Sequence, residues 1–207
     1  QDVVSWTTII AGYVQQGQYH EAFMYFGWMK NEDLYPDVVT FICALKACGS
    51  TETIEKGKQF HNEILGNGLL EKDIALGNAL VDMYAKHGVL SKAQQVLDEL
   101  PVRDLVSWNA LLAAFSQMGD IINVSHCFYQ LVMEGLEPDV VTFSIILSGY
   151  SHAGLQNDAV IFLYTIMKNY SFLPSLEHYT CIVDLLGRAG QVKEAVMIAS
   201  MMPVQPG

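Results

Sequence analysis

The sequence predicts an all-α fold, a solenoid of stacked helix-turn-helix hairpins, on three observations. One five-residue signature recurs four times, apolar residues follow it at helical spacing, and a glycine punctuates nearly every repeat midway. The signature reads Asp2-Val3-Val4-Ser5-Trp6, Asp37-Val38-Val39-Thr40-Phe41, Asp104-Leu105-Val106-Ser107-Trp108 and Asp139-Val140-Val141-Thr142-Phe143. Used as a ruler, it divides the chain into repeats 3–37, 38–73, 74–104, 105–139, 140–175 and 176–207, of 35, 36, 31, 35, 36 and 32 residues. Such a hairpin cannot bury its apolar stripe alone, so successive hairpins must stack.

In the first repeat Asp2 is a good N-cap, and Trp6, Ile9, Ile10, Tyr13 and Val14 form one stripe of a helix. Gly17 supplies the left-handed residue that closes it, and Ala22, Phe23, Phe26 and Met29 stripe a second helix that ends before Pro36. The later repeats keep both landmarks, a central glycine and a small residue where two helices approach closely. The second has Gly57 but Glu52 in place of the glycine, the third Gly88 and Ala93, the fourth Gly119 with Val124 in place of the small residue. The fifth has Gly154 and Ala159, the sixth Gly190 and Ala195.

The chain is 51% apolar and 16% charged, and no apolar run reaches the roughly 18 residues of a membrane span, so a soluble protein is expected. Cys43, Cys48, Cys127 and Cys181 are irregularly spaced without a CxxC pair and read as buried thiols rather than disulfides or a zinc site. The start at Gln1 and the stop at Gly207 read as an excised fragment. His61-Asn62-Glu63 has the HxE of a zinc deaminase without the required downstream CxxC. Gly66-Asn67-Gly68 and Gly57-Lys58 lack the glycine spacing of nucleotide-binding loops. Met197, Met201 and Met202 read as core, and His152 and His178 as hairpin-surface residues. No cofactor and no catalytic or metal residue is expected.

The wording of each repeat, Val-Val-Thr-Phe, then Gly-Tyr or Ala-Cys, Gly, Glu-Ala, Met and Pro-Asp, lacks the tetratricopeptide pattern and resembles pentatricopeptide repeats. The lengths resemble the P, L, S alternation of the plant-type subclass: 3–37 P, 38–73 L, 74–104 S, 105–139 P, 140–175 the last L and 176–207 the last S. KACGSTETIEKGKQFHNEIL (46–65) is similar to an L repeat, and the stretch 78–112 to an S repeat running into a P repeat. The stretch 147–195 is similar to the L and S repeats that precede an E-type extension and, often, a cytidine-deaminase domain. The resemblance implies a right-handed superhelical solenoid of six repeats, location in chloroplast or mitochondrion, and single-stranded RNA read one base per repeat for organellar C-to-U editing. It also implies docking of small editing cofactor proteins and a deaminase supplied downstream or in trans, the chain itself being no enzyme.

By the same resemblance, the fifth and last residues of each repeat read the base while the second packs on it. The reading pairs are Thr7 with Asp37, Ile42 with Asp73, Asn78 with Asp104, Asn109 with Asp139, Ser144 with Ser175, and Thr180 with Gly207. An ionised carboxylate only accepts hydrogen bonds, so Asp favours guanine and uracil, whose edges carry an imino N–H. Short Thr7 leaves room for a purine, whereas Asn78 and Asn109 reach a pyrimidine. The expected target is G, any base, U, U, any base, then a purine. Val4, Val39, Val106 and Val141, with Ala75, read either as an apolar clamp on the bases or as packed residues, and Glu177 breaks the set. Gln15, Ser50, Lys86, Gln117, His152 and Arg188, near the end of each first helix, are candidates to face the RNA backbone. Each boundary Asp is equally an N-cap, and one carboxylate can do both jobs.

The net charge of −11 opposes binding driven by phosphate neutralisation. Glu21, Glu52, Glu55, Glu99 and Glu194 are expected mostly in second helices, away from the reading face. The rival expectation is a protein- or peptide-binding helical scaffold.

Overall fold

The computed structural model describes residues 2–51, 54–71, 73–169, 176–188 and 190–202. It is all-helical among them, in helix pairs. They are α1 (Val3–Gln15), α2 (Tyr19–Asn31), α3 (Val38–Gly49), α4 (Ile54–Gly66), α5 (Ile74–Lys86), α6 (Leu90–Glu99), α7 (Leu105–Gln117), α8 (Ile121–Met133), α9 (Val140–Ala153), α10 (Gln156–Asn169), α11 (Leu176–Arg188) and α12 (Val192–Ser200). Two compact halves, Gln1–Leu111 and Leu112–Gly207, divide the chain.

In the first half α1 packs on α2 and on α3, α3 on α4 and α5, and α5 on α6, so first helices neighbour first helices. Asp2, Asp37, Asp73 and Asp104 start their helices by accepting from the amides of Ser5, Thr40, Ala75 and Ser107 at 2.8–2.9 Å. The core is Ile10, Met29, Phe41, Leu45, Ile64, Leu76, Leu80, Met83 and Leu97, all fully buried. Phe26 bridges hairpins through rings, 5.8 Å from Phe41 and 4.8 Å from Phe60 between centroids. α4 and α5 approach closely at Gly57, where a Cβ would lie 2.5 Å from Met83 Sδ.

In the second half α9 packs on α8, α10 and α11, and α11 on α10 and α12. Its core gathers Phe143, Leu147, Ala159, Tyr179, Ile182, Leu186, Ala195 and Ile198. Asp139 caps α9 in a reciprocal capping box with Thr142.

The central glycines 17, 88, 119, 154 and 190 all take positive φ, between 67° and 74°, which an L side chain adopts at a cost. Glu52 lies outside the described residues.

Three expectations are corrected. His178 is fully buried rather than at a hairpin surface, because its place on α11 faces α9. Met197 and Met201 are 48% exposed, since α12 turns only Ala195 and Ile198 into the core; Met202 alone of that trio packs against it. Cys48 and Cys127 are buried but Cys43 is half-buried, and burial pushes its thiol pKa up. The Cys181 side chain lies outside the description.

Candidate nucleic-acid interface

The second residues of four repeats stand out from the surface: Val4 is 69% exposed, Val39 54%, Val106 61% and Val141 55%. A valine beside a helix N-terminus at that exposure is not packed, so the apolar isopropyl groups they offer are available to another molecule. Glu177, at the matching place on α11, is exposed too.

In the first half, Val4, Thr7, Gln15, Asp37 and Val39 line one cleft of about 540 Å³. Thr7 forms its buried floor; its Oγ1 lies 2.8 Å from the Val3 carbonyl and 2.6 Å from Thr40 Oγ1. Thr40 Oγ1 in turn donates to Asp37 Oδ1 at 2.7 Å, the same oxygen that takes the Thr40 amide. The cap occupies one oxygen of an exposed carboxylate.

Asn78 and Asp104 meet directly. Asn78 Nδ2 donates towards Asp104 Oδ1 at 3.2 Å and Oδ2 at 3.4 Å, and Ser107 Oγ donates to Asn78 Oδ1. Ser107 Oγ also lies 2.9 Å from Asp104 Oδ1. Ile42 and Asp73 are half-buried, and Asp73 Oδ1 caps α5. Asn109 is half-buried in the first half, and Asp139 is exposed at its cap in the second.

Ser144 is half-buried with its Oγ 3.4 Å from His178 Nε2, which lies 3.1 Å from the Val140 carbonyl. That carbonyl can only accept, so Nε2 carries the proton. Burial lowers the His178 pKa, and the Val140 bond only partly offsets it. Thr180 is exposed and spends its hydroxyl on the Leu176 carbonyl at 2.8 Å. Ser175 and Gly207 lie outside the described residues.

Gln15, Ser50, Lys86, Gln117, His152 and Arg188 are all exposed. The two cations are already engaged: Lys86 Nζ lies 2.7 Å from Asp82, and Arg188 lies 2.7 Å from Asp184 and from Ser151 Oγ. His61, by contrast, is buried against the Tyr84 hydroxyl at 3.0 Å, with its pKa lowered by burial. Among the described residues no group of three or more His, Cys, Asp or Glu could hold a metal ion. No helix among them is long and apolar enough to cross a membrane.

The PPR repeat family profile matches residues 1–50 and 103–152, and the PPR repeat profile residues 78–105 and 177–204. The chain belongs to the pentatricopeptide repeat family. Among Arabidopsis thaliana relatives, a chloroplastic pentatricopeptide repeat-containing protein is 33% identical over 98% of this chain and 24% of its own length. A mitochondrial one is 34% identical over 100% of this chain and 30% of its own. The chain thus spans about a quarter to a third of the curated relatives it matches. The crystal structure of the maize pentatricopeptide repeat protein PPR10 superposes with a TM-score of 0.79 at 20% identity, covering 99% of this chain and 30% of that one. PPR10 in complex with an 18-nt psaJ RNA element gives 0.69 at 18%, covering 98% and 34%.

One polar position of the pentatricopeptide repeat escaped the sequence reading. The third residue of a repeat, Thr40, Ser107 or His178, touches the fifth residue of the repeat before it. The signal was visible, since the Ser or Thr is the fourth letter of the recurring signature. A residue beside an N-cap also has a local explanation in the capping box, which masks the longer-range contact.

Proposed function

We propose that this chain binds single-stranded RNA sequence-specifically, one base per repeat, as the site-recognition module of an organellar C-to-U editing factor of the P, L, S subclass. The observation that carries the reading is the cleft in which Val4 and Val39 flank Thr7 and Asp37. It offers apolar surface for base faces and an acceptor at the floor. Asn78 with Asp104 repeats the polar half of that arrangement. The RNA complex of PPR10, a structure sharing this fold, supports the ligand class.

In this reading the repeats are 3–37, 38–73, 74–104, 105–139, 140–175 and 176–207, and the target runs G, any base, U, U, any base, purine from 5′ to 3′. Thr7 with Asp37 selects G, and Asn78 with Asp104 and Asn109 with Asp139 select U. Ser144, Ser175, Thr180 and Asp73 complete the reading set, Val4, Val39, Val106 and Val141 clamp the bases, and Lys86 and Arg188 face the backbone. The deaminase is a downstream domain or a separate protein, and chloroplastic and mitochondrial relatives support an organellar site of action. Small editing cofactors would dock on the same solenoid.

Fluorescence anisotropy with that oligonucleotide, against one carrying A at both U positions, tests the proposal. Tighter binding of the first supports it; equal or no binding of both favours the second reading, a protein- or peptide-binding scaffold. The net charge of −11 and the engagement of Lys86 and Arg188 by aspartates favour that alternative.

A further inference from the structure

The contacts of Thr40 and Ser107 have a directionality that follows from counting protons. At the floor of the first cleft, three contacts share two hydroxyl hydrogens: Thr7 to the Val3 carbonyl, Thr7 to Thr40, and Thr40 to Asp37. The Asp37 carboxylate is the strongest acceptor present and holds the Thr40 hydrogen. The Thr7 contacts with the Val3 carbonyl and with Thr40 then share the one Thr7 hydrogen, which lies on one or the other. The Thr7 hydrogen therefore points inward, and Thr7 presents lone pairs to the cleft. Beside the Asp37 carboxylate, the floor is all acceptor. Guanine alone among the four bases offers two adjacent donors, N1–H and N2–H, to such a floor.

Around Asn78 the polarity is mixed. Ser107 Oγ has one hydrogen and two acceptors in reach, Asn78 Oδ1 and, at 2.9 Å, Asp104 Oδ1. An amide oxygen cannot supply a proton to the shorter contact, so the hydrogen lies towards Asn78 and the amide turns its Nδ2 to the Asp104 carboxylate, which already takes the Ser107 amide. One Nδ2 hydrogen is spent on Asp104 and the other remains a donor beside an acceptor. Uracil matches this with a carbonyl oxygen next to N3–H.

The sequence carries an independent trace of the coupling. Pairing each fifth residue with the third residue of the following repeat gives Thr7 with Thr40, Ile42 with Leu76, Asn78 with Ser107, Asn109 with Thr142 and Ser144 with His178. Polar goes with polar, and the single apolar reader goes with the single apolar third residue.

We infer that Thr40 and Ser107 are positioning residues for base recognition, fixing the hydrogen-bond polarity that Thr7 and Asn78 turn towards RNA. This rests on the RNA-binding reading proposed above. It adds a third residue, from the next repeat, to the determinants of the first and third bases.

Anisotropy titrations of the 207-residue chain, with oligonucleotides differing at one position, test it. Thr40→Val is expected to lower the preference for G over A at the first position about tenfold, the size of one well-placed hydrogen-bond pair. Thr40→Ser restores the preference. Ser107→Ala lowers the preference for U over A at the third position by a similar factor, and Ser107→Thr restores it. Circular dichroism confirms unchanged helicity in each. Thr7→Ala and Asp37→Ala calibrate reading itself. If they erase the first-position preference while Thr40→Val keeps it, and Ser107→Ala keeps the third, the positioning role is overturned and RNA reading stands. If Thr7→Ala and Asp37→Ala change nothing either, both fall together. Should Thr40→Val not fold, the Ser107 variants decide on the same terms.

Discussion

Asn78 leans on the carboxylate that starts the next helix: its Nδ2 lies 3.2 Å from Asp104 Oδ1, while that oxygen accepts the Ser107 amide at 2.8 Å. One side chain thus serves folding and the proposed recognition at once, and substitution can separate the two. Asn caps helices about as well as Asp, whereas Ala costs about 1 kcal/mol. Asp104→Asn is expected to leave urea-unfolding stability within about 0.5 kcal/mol, yet to lose the preference for U, because an amide N–H would oppose the uracil N3–H. Asp104→Ala is expected to lose both. Urea titration and anisotropy on the same two variants check this.

Gly119 and Gly88 have nearly the same backbone, φ 67° and 70°, but different surroundings. A Cβ at Gly119 would lie 3.1 Å from the Ala153 amide nitrogen and 3.2 Å from its Cα, whereas nothing lies within 4 Å at Gly88. Gly88→Ala is expected to cost about 1–2 kcal/mol from the left-handed conformation alone. Gly119→Ala adds displacement of backbone and is expected to cost at least about 1 kcal/mol more, measured by denaturant unfolding.

His61 and His178 are buried, and burial lowers the pKa of each below the ordinary 6.5. The unfolded chain therefore binds protons at a higher pH than the folded one. Their contribution to stability is fully present above about pH 6.5 and is lost as pH falls towards the depressed folded values. The urea midpoint is expected to drop between about pH 7.5 and about pH 5.5, and His61→Gln with His178→Gln to flatten that slope even if it lowers the midpoint throughout.

Lys86 and Arg188 are paired with Asp82 and Asp184 one turn earlier on their own helices. Exposed pairs of this kind contribute about 0.3–0.5 kcal/mol to a helix, so neutralising the acid barely affects folding. Asp82→Asn is expected to tighten RNA binding severalfold at low salt and to steepen its salt dependence. Unchanged affinity and slope would place Lys86 away from the RNA backbone.

The hairpins and their glycine turns were legible because they depend on local constraints: a carboxylate before a helix, a stripe at helical spacing, a residue able to take positive φ. The exposure of Val4, Val39, Val106 and Val141 was not legible, since a valine near a helix start packs or projects according to what stacks beside it. Stacking also hid the contact between Thr7 and Thr40, two residues 33 positions apart. His178 was misplaced for the same reason, as its depth is set by α9 rather than by its own helix. At Met197 and Met201 composition misled, because α12 is short and turns only one edge inward.

Because the closing Asp of a repeat is also the starter of the next helix, the vocabulary of such a reader is tied to the needs of secondary structure. Letters spelled with Asp, Asn, Ser or Thr at that place come without loss of a helix start. Any other spelling must be compensated elsewhere in the hairpin, so an engineer rewriting the target would change the fifth residue first and keep the last within those four.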